Sequence, residues 1–103
     1  VLFAAVAVVR GGWSVLSITG DCDLASAPEL RRELLRAASG ADRLVVDLEG
    51  VGFLDSVGLG LLVGAARRVG ELVVVAPEGP ARRALRTSRV DEILDVRPAF
   101  APT

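Results

Sequence analysis

The apolar residues of this chain fall into short blocks whose spacing switches from strand-like to helical and back. Residues 4–10 alternate loosely around Val6, Val8 and Val9, and residues 13–19 (Trp-Ser-Val-Leu-Ser-Ile-Thr) are rich in strand formers. Gly11-Gly12 between them is a turn signal, so the two runs predict an opening hairpin, closed by Gly20-Asp21-Cys22-Asp23. From Ala27 the period becomes helical. Leu30, Leu34 and Ala37 recur at i, i+4 and i+7, opposite Glu29, Arg31, Arg32, Glu33 and Arg36, which predicts a helix over 27–38. Ser26 and Glu29 have the spacing of a capping box, Pro28 suits a first turn, and Ser39-Gly40 stops the helix. Residues 43–48 (Arg-Leu-Val-Val-Asp-Leu) form a β-branched run typical of a buried parallel strand. A loop is expected over 49–54, then a second helix from Asp55 or Ser56 to 69, a strand over 72–76 and a third helix over 81–88. A helical turn at 90–93 and a last strand at 94–97 follow, and the tail 98–103 is expected to be loose or the stub of a longer helix.

This order predicts an α/β fold: a mostly parallel sheet with an antiparallel first strand and helices packed against it. Parallel neighbours need crossovers, and these are right-handed and usually helical. A chain of 103 residues is expected to fold as one domain over 1–103 around one core.

Composition bears on function more than on fold. At 51% hydrophobic residues the chain is too apolar for disorder. Its longest uncharged apolar stretch, 57–66, is broken by three glycines and is about half the length of a spanning helix, so no direct membrane insertion is expected. Residues 2–9 lack a basic flank and a cleavage site and read as a strand rather than an export signal. No methionine is present, which leaves the native start open. A net charge of -1 provides no footprint for nucleic acid. All basic residues are arginines, which removes Schiff-base and P-loop lysines. With no histidine, Ser-His and Cys-His catalysis and the common zinc sites are also removed. Cys22 is alone, so neither an intrachain disulfide nor a paired-cysteine metal knuckle is possible, and a reduced cytoplasmic setting is the simplest reading. The expectation is a binding module rather than an enzyme, with no cofactor and no metal.

The informative segment is Phe53-Leu54-Asp55-Ser56-Val57-Gly58-Leu59-Gly60. Ser56 falls where a loop turns into a helix, the place of an N-cap whose hydroxyl accepts from an orphan N–H. The positive end of the same helix would tolerate a phosphate on that hydroxyl, while Asp55, with Asp21 and Asp23 on the neighbouring loop, would oppose it. Gly58 and Gly60 each cost about 1 kcal/mol relative to alanine inside a helix, which makes sense where another backbone comes close. The helix is apolar nearly all round (Val57, Leu59, Leu61, Leu62, Val63), so part of it is expected to be an exposed protein contact. Plainer readings stand beside these: Ser56 as a cap alone, and Asp21 and Asp23 as turn chemistry. Gly58, Gly60 and Gly64 imitate a dinucleotide fingerprint, but they lie about ten residues past the strand rather than at its end. A response-regulator receiver would need a distal lysine, and none exists.

The segment resembles the phosphorylation motif of STAS anti-sigma-factor antagonists, usually Asp-Ser-Ser/Thr-Gly-Leu-Gly, and Gly20-Asp21-Cys22-Asp23 is similar to the family's Gly-Glu-x-Asp after the second strand. The resemblance covers essentially the whole chain. It implies that Ser56 is phosphorylated by an anti-sigma factor that is also a serine kinase, and that a serine phosphatase restores it. The unphosphorylated protein would bind that kinase and free a sigma factor. It further implies a phosphosite environment of Asp55, Asp21, Asp23, Val57 and Gly58, and a contact surface of Leu59, Gly60, Leu61 and Val63. Val57 departs from the second hydroxyl of the motif. The alternative is a non-switching STAS module, a scaffold or an accessory domain of a transporter, lipid-transport or signalling complex.

Overall fold

The computed structural model describes residues 2–102. The elements are β1 (Ala4–Arg10), β2 (Trp13–Cys22), α1 (Ala27–Ser39), β3 (Arg43–Leu54), α2 (Ser56–Ala66), β4 (Glu71–Val75), α3 (Pro80–Thr87) and β5 (Asp95–Arg97). A 3-10 turn at Val90–Glu92 precedes β5. The sheet order is β1-β2-β3-β4-β5, with β1 antiparallel to β2 and every other neighbouring pair parallel. This is the expected mixed sheet. Gly11 and Gly12 make the β1–β2 turn with φ of 54° and 80°, conformations that side chains disfavour.

Strands added in one direction through right-handed crossovers place their helices on one face of the sheet. The side-chain alternation of the strands shows it. Leu16 and Ile18 of β2, Leu44 and Val46 of β3 and Val74 of β4 share the main core with Leu30 and Leu34 of α1, Leu62 of α2 and Leu85 of α3. The alternate positions Trp13, Val45, Val73 and Val75 form a second, smaller cluster that contains no helical residue. The tail reaches this second face. Phe100 packs edge-on against Trp13 with ring centroids 5.1 Å apart, so the chain after β5 folds back at least that far.

Three boundaries differ from the expectation. Residues 49–54 are not a loop: β3 continues through them to Leu54. Residues 20–22 are likewise strand, the last part of β2. The glycines that suggest a turn serve close strand packing instead. The β2–β3 register shifts between Ser17 and Thr19, and a Cβ on Gly50 would lie 2.6 Å from Thr19 Cγ2. At its other end α2 stops at Ala66, short of the expected 69.

Candidate protein-binding site

β2 and β3 finish side by side, with Asp21 opposite Phe53 and Cys22 opposite Leu54. The Asp55 N–H donates to the Cys22 carbonyl at 3.2 Å, which ties the start of α2 to the end of β2. The extended last part of β3 thus delivers Asp55 and Ser56 to the corner that already holds Asp21 and Asp23. The sequence motifs at 20–23 and 53–60 therefore lie side by side.

The division of labour within the motif corrects one expectation. Asp55, not Ser56, caps α2: its backbone is extended (φ -100°, ψ -175°) and its Oδ1 accepts from the N–H groups of Val57 and Gly58, each at 3.1 Å. Ser56 is the first helical residue. Its side chain is exposed, and its hydroxyl has no hydrogen-bond partner among the described residues. Two of the N–H groups expected to be open to a phosphate are therefore already held by a carboxylate.

The α1 capping box is also absent. The Ser26 hydroxyl turns back into the loop, donating to the Asp21 carbonyl at 2.7 Å and accepting from the Asp23 N–H at 3.0 Å. Asp23 Oδ1 in turn accepts from the Ser26 N–H at 3.1 Å. Ser26 thereby ties the loop that carries Asp23 to Asp21 at the end of β2.

Cys22 lies fully buried beneath this corner, at the end of a strand rather than in a loop. Burial pushes its thiol up to about 11, with further upward contributions from the carboxylates of Asp23, Asp21 and Asp55. All three carboxylates thus act on one point. A thiol held so high is neutral at pH 7 and a poor nucleophile.

The glycines of α2 divide. A Cβ on Gly58 would sit 2.7 Å from Leu54 Cδ1 and 3.3 Å from the Cys22 carbonyl oxygen, so a close backbone approach does require glycine there. At Gly60 and Gly64 a Cβ would meet nothing within 4 Å. Leu59, expected at the contact surface, points into the core and is only 8% exposed. Gly60 is exposed, and Leu61 and Val63 are half-buried at the surface.

Two large apolar residues outside the expected contact surface, Leu24 and Phe53, are exposed near the ends of β2 and β3. Leu24 is 75% exposed and Phe53 51%, beside Val57 at 37%. Leu24, Ala27, Pro28, Arg31, Val57 and Leu61 line a shallow groove of about 450 Å³. The signal for Leu24 was present: it is the one large apolar side chain in an otherwise small and polar run over 20–28. Among the described residues no group of His, Cys, Asp or Glu side chains is arranged to hold a metal ion, and no helix is long and apolar enough to cross a membrane.

A sheet of four parallel strands opened by one antiparallel strand, with its helices on one face and an aspartate capping the second helix, defines a class of small mixed-sheet α/β modules. Within that class, the family model described as "Mlab, STAS domain" matches residues 8–95, and the chain belongs to the STAS family. It is 36% identical over 87 residues to the anti-sigma-F factor antagonist RsfB of Mycobacterium tuberculosis, covering 81% of this chain and 71% of that one. It is 39% identical over 54 residues to the anti-sigma-B factor antagonist of Bacillus subtilis, covering 52% and 50% respectively. Among solved structures, an anti-sigma factor antagonist from Mycobacterium paratuberculosis superposes with a TM-score of 0.90 at 28% identity, over 96% of this chain and 88% of that one. The Bacillus protein SpoIIAA in its phosphorylated form shares the fold, with a TM-score of 0.65 at 20% identity over 93% and 91% of the two chains.

Proposed function

We propose that this chain is an anti-sigma-factor antagonist that binds an anti-sigma factor with serine kinase activity and is switched off by phosphorylation of Ser56. The observation that carries the reading is the state of Ser56. Its hydroxyl is exposed and has no hydrogen-bond partner among the described residues, on the first turn of α2 between the capping Asp55 and Val57, which lines the apolar groove. The relatives named as antagonists support the general role.

The geometry explains how a phosphate would act. It adds roughly -1.5 to -2 charges at the rim of the groove. The N–H groups of Val57 and Gly58 are held by Asp55, so a phosphate reaches those two only by displacing that carboxylate. It therefore stays poorly compensated, and enclosing an uncompensated charge in an interface costs several kcal/mol. The chain itself acts by binding, not by catalysis, in the cytoplasm, and a serine phosphatase resets it.

A second reading, a non-switching STAS scaffold, is favoured by Val57 in place of a second hydroxyl and by the occupied helix cap. Incubation with ATP and a candidate anti-sigma kinase, followed by intact mass and peptide mapping, separates the two. The switch predicts one phosphoryl group on the Ser56 peptide and none on Ser56→Ala. Binding without modification supports a constitutive antagonist. Neither modification nor binding points to the scaffold.

A further inference from the structure

The α1–α2 seam has a built shape that extends beyond the groove beside Val57. A cavity of about 180 Å³ runs between the two helices, lined by Leu34, Leu35, Leu61 and Ala65 and flanked by Gly60 and Gly64. It shares Leu61 and Arg31 with the groove beside Val57, so the two form one apolar trough leading away from Ser56. Among the described residues no carboxylate lines either part. Arg31 on α1 and Arg68 just past α2 stand on its margins, both exposed and neither in an ion pair among the described residues. In a chain of net charge -1 this is a local positive rim around an apolar floor. Gly60 and Gly64 lie one turn apart on the same side of α2, and nothing among the described residues needs either to be glycine. Helix propensity alone argues against both. What they permit is the close approach of a backbone from outside.

We propose that this trough receives an amphipathic helix of the anti-sigma factor, whose apolar stripe lies over Gly60 and Gly64 and whose flanking acidic residues pair with Arg31 and Arg68. The inference rests on the antagonist reading and extends it to the form and charge of the contact. A trough between two helices suits a helix laid along it, with anchors at i, i+3, i+4 and i+7. The arginines then set orientation and speed of encounter.

The test is calorimetric titration of the anti-sigma factor into the unphosphorylated protein, the double variant Gly60→Leu/Gly64→Leu, and the double variant Arg31→Glu/Arg68→Glu. Leucines at the two glycines enter open space, so the melting temperature should stay level or rise while Kd weakens at least tenfold. Charge reversal at the arginines should also weaken Kd at least tenfold, and reversing the acidic residues on the partner helix should restore binding. If wild type binds and both variants bind within twofold of it, the trough is not the contact and the antagonist reading survives alone. If wild type binds no anti-sigma factor, both fall. If the same variants dissociate a homodimer and leave anti-sigma binding unchanged, the occupant is a second copy and the proposal is overturned.

Discussion

Asp55 and Ser56 show how two adjacent residues divide structure from signalling. The aspartate closes the helix end, and the serine is left with nothing to hold. Asp55→Ala should therefore cost about 1 kcal/mol, the usual loss for a deleted cap, whereas Ser56→Ala should stay within about 0.5 kcal/mol of wild type. Urea midpoints at constant slope measure both, and the reverse ranking would mean that the serine is the cap. Cys22 gives a second residue-scale test. Its folded thiol titrates at about 11 against an ordinary 9.0, so the folded state holds the proton more tightly than the unfolded chain does. The resulting stabilisation is complete below pH 9 and is lost as pH rises from 9 to 11. Denaturant unfolding across that range should show a falling stability that Cys22→Ala flattens. The aspartate–serine pair was legible in the sequence, but its roles were exchanged there. Aspartate and serine are about equally good caps, and only the backbone angles choose between them.

At the scale of elements, α2 is anchored by a narrow line, Gly58, Leu59, Leu62 and Ala65, spaced as one buried stripe. Its sequence hides that stripe because the exposed side is also apolar. Leu62→Ala, at a position 1% exposed, should cost about 2–5 kcal/mol. Val57→Ala should change stability by less than about 0.5 kcal/mol, since that side chain faces solvent. Thermal or urea unfolding compares the two, and equal losses would contradict the assigned helix face. The same limit on local patterns explains β3. Glu49-Gly50-Val51-Gly52 carries turn chemistry, and nothing in it announces that Gly50 makes room for Thr19 across a shifted register. That requirement belongs to the neighbouring strand. The extension matters for function, because the last residues of β3 carry the motif to the end of β2, beside Asp21 and Cys22.

At the scale of the whole molecule, the order of strands and helices was enough to give the sheet, its antiparallel first strand and its parallel remainder. Those follow from handedness and connection length, which the sequence spells out. The sequence did not reveal what the helix-free face would do, because the pairing of Trp13 with Phe100 joins residues far apart in the chain. Nor did it reveal that Leu24 and Phe53 would be exposed, since their exposure depends on where two separate strand ends meet. The assembled corner brings Asp55 and Ser56 to the end of β2, with the apolar groove starting at Val57. The most direct test is the affinity of the anti-sigma factor for the unphosphorylated protein and for the same protein carrying one phosphate on Ser56, measured by calorimetry. A loss of at least about a hundredfold, near 2.7 kcal/mol, is the predicted result. Two affinities within twofold of each other would contradict it.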